Sequence, residues 1–318
     1  MSEFSLIQRY FTRTTPGAVL GVGDDAALVR VGSGMELAIS TDMLVSGTHF
    51  FADADPYMLG HKALAVNISD MAAMGAKPRW ATLAIALPGE DEVWLERFSA
   101  GLFALADEFK VELIGGDTTY GPLNINITIL GEVPQGKALR RDGAQAGDDV
   151  WVSGRVGDAA LALAHMQGKI ILSDESIKIV APALHQPQPR VALGLALLGI
   201  AHSAIDVSDG LLADLGHILE RSNKGAEIEF AKLPVSIHLR AYLDEKLGQQ
   251  CALAGGDDYE LCFTAPAARN AEIEKISAQL ALPLTCIGKI DTGKGCRVKA
   301  KDGSVMKIEE TGYDHFKG

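Results

Sequence analysis

Cysteine is scarce in this chain of 318 residues: there are four, Cys251, Cys262, Cys286 and Cys296, all in the second half and none in a CxxC pair. That argues against a disulfide framework or a thiolate zinc site and fits packed thiols in a reducing compartment. Aromatic residues make up only 6% of the chain although 47% of it is hydrophobic. Cores must therefore be built mainly from Ala, Leu, Ile and Val, as α/β enzymes tend to build them. Long apolar runs are also missing. The longest, residues 191–201, is about half of the ~20 residues a membrane helix needs. The opening MSEFSLIQRYF has neither a basic nor an apolar leader region, so no signal peptide is expected and a cytoplasmic protein is. Nor is there a basic block. The formal net charge is −12, which repels nucleic acid and anionic membranes.

The length suits two domains. Periodicity predicts a helix over 3–11 with Phe4, Ile7, Tyr10 and Phe11 on one face, and a hairpin of strands 27–31 and 36–40 around the Gly32-Ser33-Gly34 turn. A helix opened by Asp55-Pro56 and ended by Gly75 follows, then strand 79–87, helix 91–110, strand 111–114 and the alternating strand 123–133. Polar, glycine-containing sequence at 134–149 marks the boundary, giving domains 1–138 and 139–318. The second domain should hold strand 150–153, helices near 157–167, 173–183 and 189–198, strand 204–207, helix 209–221, the strand pair 227–230 and 259–264, helix 267–280 and a strand-like tail. Gly115-Gly116-Asp117 and Gly255-Gly256-Asp257 repeat one tripeptide in the two halves, a hint of duplication.

The acidic motifs carry the chemistry. Gly21-Val22-Gly23-Asp24-Asp25-Ala26 mimics a dinucleotide fingerprint, but no helix is predicted after it to cradle a pyrophosphate, and two aspartates oppose one. Ser40-Thr41-Asp42 closes an apolar strand; a turn or helix cap would also explain it. Asn67 and Asp70 lie at i, i+3 on a helix otherwise rich in Ala, Val and Met. A carboxylate there must be paired, hydrogen-bonded or metal-bound. Gly115-Gly116-Asp117 is expected just beyond a short strand, where α/β folds bind ligands. Asp206-Val207-Ser208-Asp209 follows another strand, with Asp209 a candidate helix cap. Gly255-Gly256-Asp257-Asp258-Tyr259-Glu260 has more acids than a turn requires. If such acids share a cleft, each pair repels by about 4 kcal/mol at about 4 Å and an effective dielectric near 20. Hard divalent cations relieve this, and oxygen-only donors favour Mg²⁺. Residues 288–295 (GKIDTGKG) resemble a Walker A loop but lack its final Ser/Thr. No recognisable local motif supports Ser-His-Asp or Cys-His nucleophilic catalysis.

Read in order, GVGDDAAL, AISTDMLVSGTHF, KALAVNISDMAAMGAKP, LIGGDTT, AIDVSDGL, GGDDYELCF and GYDHF resemble the thiamine-monophosphate kinase family, part of a superfamily with aminoimidazole ribonucleotide synthetase and selenophosphate synthetase. The resemblance spans residues 4–316. It implies a two-domain α/β fold of the aminoimidazole ribonucleotide synthetase-like type, with the N-terminal sheet as the interface of a homodimer. It also implies ATP bound without a P-loop, several Mg²⁺ ions, and thiamine monophosphate as phosphoryl acceptor. Carried over motif by motif, Asp25, Ser40, Thr41, Asp42, Asp70, Asp117, Asp206 and Asp209 would bind magnesium. Gly116, Asp117, Arg141 and Ser208 would contact ATP, and His49, Asp257 and Tyr313 would line the substrate pocket. Asp42, Asp117 and Arg141 would be central to catalysis. The chain departs from the family's usual GGEDYEL at Asp257, whose carboxylate reaches one methylene less far. The competing readings are another ATP-using member of the superfamily and a non-catalytic sensor of nucleotide or thiamine phosphate.

Overall fold

The computed structural model describes residues 3–313. The motif residues 314–316 lie outside them. The chain divides into two compact units, Met1–Met71 with Ala76–Gly136, and Ala72–Gly75 with Lys137–Gly318.

The first unit begins with α1 (Glu3–Leu6), continued as a π turn over Ile7–Phe11. Leu6, Tyr10 and Phe11 are buried while Phe4 is exposed, so the apolar face is rotated from the expected one. Residues 27–31 form no strand; Leu28 makes only an isolated bridge to Leu20. The expected hairpin is therefore absent. The reason lies at its turn, where the Gly32 N–H donates to the Glu132 carboxylate at 2.7 Å. The strand that follows, β1 (Met35–Val45), pairs instead with β4 (Asn124–Pro134) along its whole length.

Between them run α2 (Pro56–Ala73), β2 (Lys77–Leu87), α3 (Glu92–Phe109) and β3 (Glu112–Tyr120). The sheet order is β1-β4-β2-β3, with only β2 and β3 parallel, as expected of two strands joined through a helix. Asp55 starts α2 by accepting the N–H of Tyr57 and Met58 at 2.9 and 3.1 Å. Helix α2 is buried almost all round, with Leu64, Ala65, Ile68, Met71 and Ala72 at 1% exposure or less. This explains why it shows no amphipathic stripe. Helix α3 is capped by Asp91 on Trp94 N–H at 3.0 Å, and its Phe98 stacks on Trp94 and meets Phe11 edge-on. Full burial of such side chains contributes roughly 1.5–3 kcal/mol each. The two helices touch through glycine: a Cβ on Gly60 would lie 2.0 Å from the Phe98 carbonyl oxygen, and one on Gly101 would lie 1.9 Å from that of Tyr57.

The second unit contains β5 (Asp148–Ser153), α4 (Asp158–Met166), α5 (Asp174–His185), α6 (Val191–Ala196), β6 (Ser203–Asp206) and α7 (Leu211–Ser222). Then come β7 (Gly225–Glu229), α8 (Ile237–Arg240), α9 (Lys246–Ala254), β8 (Leu261–Pro266), α10 (Asn270–Leu280), β9 (Leu284–Asp291) and β10 (Gly295–Lys299). Its sheet runs β10-β7-β9-β5-β8-β6. The expected strand pair β7 and β8 shares this sheet, but β9 and β5 separate its members. Strand β5 is buried at every position, and its two acids are accommodated by His202 on Asp148 at 2.9 Å and Lys289 on Asp149 at 3.2 Å. The Walker-like residues 288–295 run from the end of β9 through a turn into the start of β10, and among the described residues no helix follows them.

Candidate active site

In the first unit the acidic motifs fall on β1, α2, β3 and the loop before β1. Ser40, Thr41 and Asp42 lie inside β1, not at its end, because pairing with β4 continues to Val45. Successive side chains of a strand alternate. Ser40 and Asp42 share a row with the buried Ile129 and Ile127 of β4 and face α2. There Ser40 Oγ donates to Asp70 at 2.5 Å, and Asn67 Oδ1 accepts the Asp42 N–H at 3.2 Å. The i, i+3 spacing of Asn67 and Asp70 thus addresses two alternate residues of one strand. Thr41 points the other way, where its hydroxyl donates to the Ile127 carbonyl and accepts from Thr128, each at 3.1 Å.

Gly115-Gly116-Asp117 is part of β3, which runs on to Tyr120 where a short strand ending at 114 was expected. The reason is Gly116: at φ +153° its Cα lies against the β2 backbone, and an added Cβ would come within 1.8 Å of the Leu83 carbonyl oxygen. Only glycine lets the ladder continue there. Asp117 pairs with Ala84 and is exposed, in the row of Asn126 and Met43 and on the face away from α2. The unit therefore brings Ser40, Asp42, Asn67 and Asp70 together and sets Thr41 and Asp117 on the opposite side. Asp25 is exposed in the loop before β1, its N–H on Asp24. No helix follows that loop, so it offers no cradle for a pyrophosphate. His49 sits in the turn after β1, its Nδ1 accepting the Val45 N–H at 3.0 Å.

In the second unit, β6 ends at the buried Asp206. The next helix is not capped by Asp209. Asp214, in its first turn, accepts the N–H groups of Ser208, Asp209 and Gly210 at 2.9, 3.0 and 3.1 Å. Burial pushes the Asp214 carboxyl up to about 7, against the pull of those three donors. The Asp209 carboxylate is left out of the capping.

The acids of residues 257–260 divide in the same way. Both oxygens of Asp258 accept the Gly157 N–H, at 2.8 and 2.9 Å, and burial raises its pKa well above the carboxylate range. Glu260 takes a two-pronged bond from Arg190 at 2.5 and 2.7 Å and the Ser153 hydroxyl at 2.5 Å. Two of the three acids are thus committed to the fold. Asp257 is held at its backbone, its N–H on the Ser208 carbonyl at 2.8 Å, while the Tyr313 N–H bonds the Asp209 carbonyl at 2.9 Å. Ser208, Asp209, Asp257 and Tyr313 are thereby stitched together within the unit. Arg141 is exposed, its carbonyl accepting the Ser222 hydroxyl at 2.9 Å. The two Gly-Gly-Asp triplets are placed differently, one in a strand and one in a loop. Among the described residues, no three His, Cys, Asp or Glu side chains gather as a group able to hold a metal.

The family models for AIR synthase related protein match residues 23–133 with the N-terminal domain and 145–301 with the C-terminal domain. Thiamine-monophosphate kinase of Escherichia coli is 46% identical over 318 residues, covering 99% of this chain and 98% of that protein. The chain belongs to the thiamine-monophosphate kinase family. Among solved structures, the family member from Stenotrophomonas maltophilia is 48% identical with a TM-score of 0.87, covering 96% of this chain and 98% of that one. AaThiL complexed with AMPPCP and TMP is 32% identical with a TM-score of 0.79, covering 98% and 96%.

Two residues of this thiamine-monophosphate kinase family member escaped sequence reasoning. Asp214 reads as an ordinary acid in a first helical turn, and its only signal is its place five residues after Asp209. Tyr259 reads as an apolar strand residue, yet its φ is +49° and its hydroxyl lies 3.2 Å from Asp257 Oδ1.

Proposed function

We propose that this chain transfers the γ-phosphoryl group of ATP to thiamine monophosphate, giving ADP and thiamine diphosphate. The observation that carries the reading is end-to-end identity of 46% with a thiamine-monophosphate kinase, with neither chain left substantially uncovered. The complex of AaThiL with AMPPCP and TMP supports the same pair of ligands for this fold.

The nucleophile is a phosphate monoester oxygen of the acceptor. With a second pKa near about 6 it is largely ionised at neutral pH and needs no general base. What remains for the protein is to align two anions for an in-line, loose transition state and to hold their charge. Arg141 offers a fixed cationic fork for the triphosphate, and Gly116, Asp117 and Ser208 would contact the nucleotide beside it. Asp257, His49 and Tyr313 orient thiamine monophosphate, whose thiazolium is cationic and suits a carboxylate partner.

The donors present suit Mg²⁺. All are oxygens, and in Ser40 and Asp70 two already lie within 2.5 Å of each other. Magnesium is ordinarily held by one or two carboxylates together with substrate phosphates, not by an all-protein cage. A preformed group of three acids is therefore not a requirement. Asp25, Ser40, Thr41, Asp42, Asp70, Asp117, Asp206 and Asp209 would hold the ions. When bound, Mg²⁺ supplies neutralisation of the triphosphate and the acceptor phosphate.

A homodimer is part of the proposal. On the side of the first sheet away from α2, β1 exposes Ile39 at 62% and Met43 at 52%, and a second copy of the same face would cover them. No helix among the described residues is long and apolar enough to cross a membrane; with four free cysteines, this supports a cytoplasmic enzyme.

The test is chromatographic. Mg-ATP with thiamine monophosphate should yield thiamine diphosphate and ADP, and chelation with EDTA should stop it. Phosphorylation of free thiamine alone would contradict the assignment.

A further inference from the structure

The chain around Asp257 is bent twice in a direction that side chains resist. Asp257 has φ +68° and Tyr259 has φ +49°. Aspartate tolerates the left-handed region; a bulky tyrosine there is an outlier that neighbouring contacts must enforce. Those contacts are present. The N–H groups of Asp257 and Tyr259 donate to the carbonyls of Ser208 and Val207, both at 2.8 Å, and Val207 returns its own N–H to the Glu260 carbonyl at 2.8 Å. Between the two bends, the Asp258 side chain is drawn inward to Gly157.

The result is that residues i and i+2 put their polar ends on the same side. The ring of Tyr259 is buried, at 9% exposure, and its hydroxyl donates to Asp257 Oδ1 at 3.2 Å. Residues i and i+2 of a regular strand also share a face; here that relationship is kept through two left-handed residues, which hold the phenol on the carboxylate.

We infer that Tyr259 is a positioning residue: its phenol fixes the direction in which Asp257 presents its carboxylate to the thiamine end of the acceptor. This rests on the proposed substrate role of Asp257. The phenol restrains the carboxylate, and its own position is set by a buried ring and the bond from the Tyr259 N–H to the Val207 carbonyl. The Asp257 side chain is short, so a tilt about its χ1 displaces the charge from its partner, and χ2 only turns the carboxylate about the Cβ–Cγ bond. Tyr259 also shares its backbone ties with the strand end that carries Ser208. Its ring oxygen bonds the Asp257 carboxylate, a residue proposed for the acceptor and not for the nucleotide, so its removal should leave nucleotide binding as it was.

The experiment is a kinetic double-mutant cycle on the full chain with Mg-ATP and thiamine monophosphate. Tyr259→Phe keeps the ring and removes one oxygen. It should raise KM for thiamine monophosphate about fivefold, as expected for one hydrogen bond of ~1 kcal/mol, with KM for ATP and Tm unchanged. Asp257→Asn should raise the same KM, and adding Tyr259→Phe to it should have no further effect. An unchanged acceptor KM in Tyr259→Phe would overturn the inference. So would an equal rise in KM for ATP, or a full fivefold effect persisting in the Asp257→Asn background. If wild type turns over but Asp257→Asn leaves the acceptor KM untouched, the role of Asp257 fails and the inference fails with it. Absence of thiamine monophosphate turnover in the wild-type protein would instead sink the functional reading itself.

Discussion

Asp214 governs the backbone of Asp209: its carboxylate accepts the Asp209 N–H at 3.0 Å, and with it the N–H groups of the residues on either side. A buried acid thus does the capping that the half-buried Asp209 was expected to do. Its ordinary pKa of 3.8 is raised to about 7 by burial. The unfolded chain releases this proton near pH 4, whereas the folded chain keeps it to about 7. The associated stability is therefore complete below pH 4 and is lost as pH rises toward 7. Asp214→Asn carries no such titration. Urea unfolding should show wild type gaining on the variant as pH falls from 7 to 4, by up to about 1.4 kcal/mol per pH unit. A difference that stays flat over that range would contradict the assignment.

Asp42→Asn should fold normally, since the hydrogen bond to Asn67 uses the backbone N–H of residue 42 and not its carboxylate. Turnover should fall by roughly 10²-fold or more, the scale of losing one preorganised electrostatic group. Steady-state kinetics at saturating Mg²⁺ alongside a thermal melt would check both halves. Near wild-type turnover would remove Asp42 from the site.

Gly116→Ala should destabilise the first unit. The new methyl would meet the Leu83 carbonyl oxygen at 1.8 Å, and the backbone is at φ +153°. Overpacking of this kind costs roughly 1–3 kcal/mol, seen as a lower Tm. A variant as stable as wild type would mean that β3 can shift away from β2 freely.

Ile39→Lys addresses the exposed sheet face. If a second copy covers it, a charge placed there should convert the dimer to monomer in sedimentation velocity while the circular dichroism spectrum stays the same. A dimer that survives the substitution must use another surface.

The sequence was most legible where local rules suffice. The Asp55-Pro56 start of α2, the Asp91 start of α3 and the alternation of β4 all follow from capping chemistry or period. The family was legible from motif order alone. Partners distant in sequence were not. Residues 27–31 have the composition of a strand, but Glu132, about a hundred residues away, takes the N–H of Gly32. The extension of β3 through a double glycine depends on how near the β2 backbone comes, which no local pattern encodes. At 257–260 local composition does not separate three acids; the resemblance singled out Asp257, and only the distant partners, Gly157 for Asp258 and Arg190 with Ser153 for Glu260, show the other two committed to the fold.

The glycine crossing of α2 and α3 has a mechanical consequence. With the Phe98 and Tyr57 carbonyl oxygens seated where methyl groups would be, neither helix can slide or roll against the other without a backbone collision. The wall that carries Asn67 and Asp70 is accordingly stiff. Asp25, by contrast, is carried on the exposed stretch before β1, which has no helix or strand of its own.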